Sequence, residues 1–357
     1  AAELAALIGS GQAQGNKNFI GNGNFQIWQR ATAATAASNT YATADRWAFG
    51  ESTDGAYTSE QSTDTPTGTG FSVKAQVTTA DTSIAAGQYS YIYTHIEAQN
   101  LQSLQYGTSS AKTLTVSFFV KSNKTGTYTF AIYKQDATSY IIPIEYTISS
   151  ANTWEKKTIT ISPTAGSTSF ITASAGAIAN DNGLGFQIGF GLAWGSNFHG
   201  TNNTWSSNSN HYGTSNQVNW MDSTSNNFYL SQVQLEIGDV ATPFEHRSFG
   251  DELARCQRYF FMPSSVDRTM FAVQGPVDAQ IWWNFPFSTE MRSQPAFTVY
   301  GADNKAESGK ARDSTNTDYE TVQTANYGTE TRGLILHVPG QSNGNYEFKR
   351  VEFDAEL

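Results

Sequence analysis

The hydrophobic period of this chain changes inside one stretch, Asn227 to Phe260, NFYLSQVQLEIGDVATPFEHRSFGDELARCQRYF. Phe228 and Leu230 share one face of an extended strand. Val233, Leu235 and Ile237 continue the alternation with the opposite parity. Strand side chains alternate with a period of two, so a parity change predicts a β-bulge between Leu230 and Val233. Gly238-Asp239 marks a turn, and Pro243 ends any further ladder. Phe249, Leu253, Cys256 and Tyr259-Phe260 then recur at helical spacing, behind Ser248 at an N-cap position. The stretch therefore closes one β-domain and leads through a short helix into a second.

Upstream, alternation dominates. Lys112 to Lys121, KTLTVSFFVK, puts Leu114, Val116, Phe118 and Val120 on one face. Thr125-Gly126 turns, and Thr127 to Lys134 returns with Tyr128, Phe130 and Ile132 inward, which predicts a hairpin. Gln88 to Glu97 sets Tyr89, Tyr91 and Tyr93 on one face and Ile92 and Ile96 on the other. The tyrosine face reads either as an exposed aromatic platform or as packing against another strand. Phe71 to Val77, Ser139 to Ile148, Trp154 to Ile161 and Phe186 to Leu192 read as further strands, and Ala31 to Thr43 reads as a loop. With Phe228 to Ile237 this gives about nine or ten strands, the spacing of a sandwich or jelly roll. Trp47 reads as a core residue.

Beyond the helix, Met270 to Val277, Gln280 to Phe287, Pro295 to Tyr300, Tyr319 to Asn326, Gly333 to Val338 and Tyr346 to Ala355 predict a β-meander. The expected fold is all-β: a jelly-roll sandwich, then a smaller C-terminal β-domain. The expected segments are 1–17 with a short helix, 18–247 as the jelly roll, 248–263 as the junction helix and 264–357 as the second domain. A length of 357 residues suits two domains.

Charge narrows the partners. Only 15% of residues are charged and the net charge is -10, which argues against nucleic acid and against anionic membranes. No apolar run approaches the ~18 residues of a membrane helix. Cys256 is the single cysteine, which excludes an internal disulfide and reads as a buried thiol. Ala1 to Gly9 forms helix readily and carries Leu4, Leu7 and Ile8 as one stripe, too short to be stable without a partner.

The run VQLEIGDVATPFEHRSFGDELARCQRYF resembles a junction in bacteriophage tail-fibre and head-fibre proteins, where it follows a jelly roll of the carbohydrate-binding-module type. NFIGNGNFQIWQR, Asn18 to Arg30, resembles the opening strand of those jelly rolls, and Asp45-Arg46-Trp47 the start of their second strand. The resemblance implies a virion fibre or spike subunit, commonly a homotrimer; the stripe of Leu4, Leu7 and Ile8 needs a partner, another copy of itself or a virion protein, and is the expected virion anchor, with a frayed terminus as the alternative. Family members often hold a structural calcium near the first and last strands. Gln26 and Ser231 stand at the matching places instead of carboxylates, so no metal and no cofactor are expected.

One insertion stands out. Trp194 to Asp222 has no clean alternation and exceeds ordinary loop length. It sets Trp194, Phe198, Trp205, Tyr212 and Trp220 among Asn, Ser, Thr and Gly. Aromatic faces stack on the C–H faces of a pyranose, and amides and hydroxyls reach its hydroxyl groups. Trp194, Trp205, Tyr212 and Trp220 are therefore the expected glycan-binding residues. Alternatively they pin the loop to its own sandwich.

Trp282 and Trp283 fall on opposite faces of one strand in a domain of only ~90 residues, too thin to bury both readily. They are the expected oligomer interface; a sandwich that holds both internally is the alternative.

Catalytic signals are weak. His95, His199, His211, His246 and His337 show no zinc-ligand spacing, and no nucleophile elbow or phosphate loop occurs. His199, His211 and Asp222 could meet across the loop. A polysaccharide depolymerase would need paired carboxylates, for which Glu97 and Glu145 are candidates as such residues are in any protein of this size; surface or core-pairing roles are the expected ones. The expected function is non-enzymatic binding of a host surface polysaccharide by a virion surface protein. A depolymerase and a purely structural decoration protein are the alternatives.

Overall fold

The structure, a computed structural model, describes residues 17–36, 40–68, 70–263, 270–271, 281–300, 310–313, 319–324, 331–338, 346–348 and 350–357. The chain divides into two units, Ala1–Arg247 and Ser248–Leu357. Leu4, Leu7 and Ile8 lie outside the described residues.

The first unit carries β1 (Ala33–Thr35), β2 (Trp47–Glu51), β3 (Ala56–Ser62), β4 (Ser72–Thr79), β5 (Tyr89–Glu97), β6 (Leu114–Ser122), β7 (Gly126–Lys134), β8 (Tyr140–Ile148), β9 (Glu155–Ile161), β10 (Leu184–Trp194) and β11 (Asn227–Ile237). One sheet runs β1-β3-β4-β11-β6-β9, the other β2-β5-β10-β7-β8. From β4 onward the chain changes sheet at every connection except β7 to β8, the wrapping of a jelly-roll sandwich.

The inner faces follow the alternation. Leu114, Val116, Phe118 and Val120 of β6 and Tyr128, Phe130 and Ile132 of β7 are fully buried. Yet β6 and β7 are not a hairpin: β6 pairs with β11 and β9, and β7 with β10 and β8. The turn at Gly126 carries the chain across the core, and Phe118 stacks on Phe130 with centroids 6.4 Å apart. Two inward faces joined by a short turn have the same pattern whether the strands pair or face each other. β1 and β3 escaped the sequence reading because β1 is three small residues and Tyr57 is the only large apolar residue of β3.

Asn18 to Arg30 is not a strand. It is a turn followed by irregular chain, with Asn22 and Phe25 at φ 51° and 54°. It is held by the closing strand. Phe19 N–H donates to Leu235 O (3.0 Å) and Asn18 Nδ2 to Val233 O (3.1 Å), while Asn18 Oδ1 accepts from Leu235 N (3.0 Å). Val233 N donates to Gly23 O at 2.8 Å, and a Cβ on Gly23 would lie 2.2 Å from Val233 O. This close approach requires the glycine. The register of β11 against β6 shifts between Ser231 and Gln234, and Gln232 has φ 50°. The parity change in the sequence is this bulge. Arg247 completes the closure by donating to Ile20 O (3.1 Å) and Asn18 O. The two motifs that carry the fibre resemblance are thus halves of one hydrogen-bonded closure.

In the second unit, Ser248 Oγ accepts from Asp251 N (3.2 Å) and caps α1 (Phe249–Gln257). The helix is shorter than 248–263, because β12 (Phe260–Phe261) begins three residues later. Its buried positions are Glu252 and Cys256, whereas Phe249 is 60% exposed rather than part of an inward stripe. The strands that follow are β13 (Met270–Phe271), β14 (Ile281–Pro286), β15 (Ala296–Tyr300), β16 (Lys310–Asp313), β17 (Tyr319–Thr321), β18 (Gln323–Thr324), β19 (Gly333–Val338), β20 (Tyr346–Phe348) and β21 (Arg350–Asp354). They pair as β12-β21-β15, β13-β20-β16-β17 and β14-β19-β18, which is not a meander. Phe285, Val299, Leu336, Val351 and Phe353 form its core. Trp282 pairs with His337 and Trp283 with Leu336; their side chains lie outside the description.

Candidate functional site

The outer face of the five-stranded sheet is built from the tyrosine half of β5. Ile92 and Ile96 enter the core, so Tyr89, Tyr91, Tyr93 and His95 face outward. Across from them β10 presents Gly191 and Gly189, opposite Tyr91 and Tyr93, and β2 presents Gly50 opposite Tyr91. These glycines make room for rings lying on the sheet. A Cβ on Gly50 would lie 2.0 Å from Tyr91 Cε1, and one on Gly191 would lie 2.1 Å from Trp194 Nε1. The small residues of FQIGFGL are the floor under the aromatic layer.

Trp194, at the end of β10, lies against Tyr91 (centroids 5.1 Å), and Tyr212 from the long loop stacks on Trp194 at 5.3 Å and 22°. Tyr91 stacks on Tyr93 at 4.9 Å, and Tyr89 meets Phe198 edge-on at 5.4 Å. Tyr89, Tyr91, Trp194, Phe198 and Tyr212 line a shallow hollow of about 190 Å³. Trp194 and Tyr91 are its nearly buried floor, while Tyr89, Phe198 and Tyr212 are half-exposed. Burial pushes the Tyr91 phenol up to about 12 and raises Tyr212 further, where the phenols of Tyr91 and Tyr133 add to the effect. Both hydroxyls are neutral at physiological pH.

Hydrogen bonds fix this layer. Trp194 Nε1 donates to Thr129 Oγ1 (3.0 Å), which donates to Gln217 Oε1 (2.7 Å). Gln217 Nε2 returns to Gly191 O (3.2 Å). Glu145, on β8, accepts from Thr214 Oγ1 (2.6 Å) and Asn216 Nδ2 (3.0 Å), so this carboxylate tethers the loop. His199 Nε2 donates to Trp194 O (3.1 Å), since a carbonyl can only accept.

The structure does not gather the four expected aromatic residues. Trp194 and Tyr212 meet in the hollow. Trp205 and Trp220 are 1% and 0% exposed and belong to the sandwich core. Trp205 Nε1 donates to Ser162 O at 2.9 Å, and Trp220 packs edge-on against Tyr57 at 5.6 Å. Neither has a face left for a sugar. Sequence reasoning assigned them to the site because a loop without periodicity carries no inside-outside signal. The expectation left out Tyr89, Tyr91 and Phe198, although the parity of QYSYIYTHIE had already put the tyrosines on one face.

The candidate catalytic groups do not converge. Asp222 pairs with Lys124 (2.5 Å) and accepts from Asn226 (2.8 Å), and His211 lies between Ser206 Oγ and Asn208 Nδ2, both at 2.9 Å. Glu97 is fully buried at the far end of β5 from Tyr89 and accepts from Gln99. Among the described residues no three of His, Cys, Asp and Glu come together to hold a metal, and no helix is long and apolar enough to cross a membrane. Ser231 Oγ donates to Phe71 O at 3.1 Å. The six-stranded sheet also shows rings outward, but Trp154 and Tyr229 turn toward Lys121, whose Nζ is 5.2 and 4.3 Å from their centroids. Asp64 pairs with that ammonium and closes the cluster.

No family model matches the chain, and no curated protein matches it. Among solved structures it is similar to the enzymatically active domain of tailspike protein 4 of bacteriophage CBA120. That likeness has 12% identity and a TM-score of 0.33, and covers 62% of this chain and 22% of that one. The chain thus spans less than a quarter of the tailspike. It is also similar to the family 11 carbohydrate-binding module from Clostridium thermocellum, with 14% identity, a TM-score of 0.29 and 59% and 99% of the two chains covered. A third likeness is to the CBM22-1 xylan-binding domain from Paenibacillus barcinonensis, with 8% identity, a TM-score of 0.29 and coverage of 61% and 99%.

Proposed function

We propose that this chain is a non-enzymatic fibre or spike subunit of a bacteriophage virion that binds a host surface polysaccharide through the outer face of its five-stranded sheet. The observation that carries the binding reading is the hollow walled by Tyr89, Tyr91, Trp194, Phe198 and Tyr212. Half-exposed rings on a rigid sheet, bordered by amides and neutral hydroxyls, suit a pyranose with its apolar C–H face and hydroxyl rim. The carboxylates that could have served hydrolysis are engaged elsewhere, Glu145 with the loop and Glu97 in the interior. The virion role is supported by the two fibre-like motifs, which close the sandwich together. Assembly as a homotrimer through the domain of Trp282 and Trp283, with Leu4, Leu7 and Ile8 as the anchor, belongs to the same proposal.

Incubation of the full chain with host capsule tests it. Retention on the capsule without release of reducing ends is the expected result. Released reducing ends would make the chain a depolymerase, and no retention would leave a structural decoration protein. Mass measurement in solution decides the trimer.

A further inference from the structure

The outward row of β5 runs from Tyr89 to His95, about 20 Å along the strand. Its ring surface is not open over that length. Tyr91 and Tyr93 are only 8% and 3% exposed, whereas Tyr89 is half-exposed. Beyond Tyr93 the row is capped. His95 lies 5.1 Å from the Tyr93 ring, and Tyr41 meets that ring edge-on at 6.4 Å. Tyr41 Oη and His95 Nδ1 share a hydrogen bond of 2.8 Å, and the Arg30 guanidinium lies 5.6 Å from the Tyr41 centroid. At the other end the long loop walls the row. Gly195 N donates to Gln88 O (2.8 Å) and Asn197 N to Ala86 O (3.0 Å), which holds Phe198 beside Tyr89. Gly213 N donates to Phe198 O (3.0 Å) and Gly200 N to Gly213 O (2.8 Å), which joins the Phe198 and Tyr212 walls. The hollow between the two closures holds about 190 Å³, below the ~300–1,000 Å³ of clefts that enclose a drug-sized ligand.

We infer that the hollow takes a single terminal sugar residue, at a chain end or on a side branch, rather than an internal run of a linear polysaccharide. This rests on the reading of the face as a glycan site. An internal residue carries glycosidic bonds on two sides, so its neighbours must continue along the sheet. On one side they would meet the joined walls of Phe198 and Tyr212, and on the other the Tyr41–His95 cap. A terminal residue carries one such bond. Its C–H face can rest among the five rings while the rest of the glycan leaves outward into solvent. Sugars further along the chain then add little contact, and affinity is set by the first residue.

Titration calorimetry of the full chain tests this, with size-fractionated dilute-acid fragments of a capsule that retains it. From trisaccharide to decasaccharide the Kd per site should change by less than about threefold. The stoichiometry separates the two sources. One copy of the protein per fragment assigns the residue to a chain end, and a number that rises with length at constant Kd assigns it to side branches. Tyr41→Ala alters only the capped end and should leave the Kd of every fragment within about twofold. Tightening by about tenfold or more with fragment length, or binding confined to the longest fragments, would overturn the inference while leaving glycan binding intact. So would a loss on Tyr41→Ala that is confined to the longer fragments. Retention on no capsule at all would remove the glycan reading and this inference with it.

Discussion

Between Trp194, the last residue of β10, and the start of β11, Trp205 and Trp220 sit inside the sandwich, whereas Trp194 and Tyr212 stack on its outer surface. The stretch around them is rich in Asn, Ser, Thr and Gly throughout, so composition does not separate them. Position relative to the sheets does. Near Trp205 the backbone runs along the free edge of β8, where Ser206 bridges to Ile141, and the indole turns into the core beneath. Trp220 lies in a short turn, where Asn219 Oδ1 accepts from Met221 N just before the chain enters β11. Tyr212 is placed where the loop crosses the sheet, with Gly213 closing onto the Trp194 ring. A polar loop can thus contribute to the core at its edge-following stretches and to a surface site at its face-crossing stretch.

The contrast is most easily broken at its inner half. Trp220→Ala and Trp205→Ala should each lower stability by about 3–5 kcal/mol, the usual cost of deleting a buried indole. Denaturant midpoints measure this, and a loss below about 1 kcal/mol for either would return that residue to the surface. A smaller effect is expected under the layer, from Gly50→Ala. The new methyl would displace the Tyr91 ring at a cost of about 1–3 kcal/mol and should weaken polysaccharide retention as well. Tyr212→Ala should invert the pattern of the core tryptophans. Retention should fall about tenfold or more, and the melting temperature should move only a few degrees. Equal losses of stability from Tyr212→Ala and Trp220→Ala would abolish the distinction.

The last expected effect, confined to alkaline pH, concerns a polar group on an inner face. Lys134, fully buried at the end of β7, donates to Asp136 O (2.5 Å) and Thr138 O (2.9 Å), and burial lowers its pKa to about 8. The unfolded chain keeps this amine protonated up to about 10.4. Between these values the unfolded state binds more protons, so the Lys134 contribution to stability rises with pH from about 8 to 10. Comparing melting temperatures of the wild type and Lys134→Met across that window isolates it. A constant difference between the two would mean that the amine titrates normally.

Legibility followed periodicity. The inner faces of β5, β6 and β7, the Ser248 cap and the bulge in β11 were readable, because strand parity and cap chemistry are local properties. The tyrosine row of β5 was readable as a row, but which side of the molecule it faced was not. Partner strands were not readable, as β6 and β7 show: they face each other where a hairpin was expected. Within the candidate site, Trp194 and Tyr212 were named from the sequence. Tyr89, Tyr91 and Phe198 were not, because strand parity and loop composition do not say which rings share one hollow.

By itself the sequence determined an all-β chain with apolar halves of strands turned inward, a capped helix after the first β-domain, and an aromatic content of 13%. The first two depend on neighbours within a few residues. The tertiary structure alone decided that Asn18 to Gly23 is stitched to Val233–Leu235, that glycines on β2 and β10 lie beneath rings from β5 and from the end of β10, and that one loop serves both core and surface. Those contacts join residues far apart in the chain, and their geometry exists only once two sheets have closed on a common core.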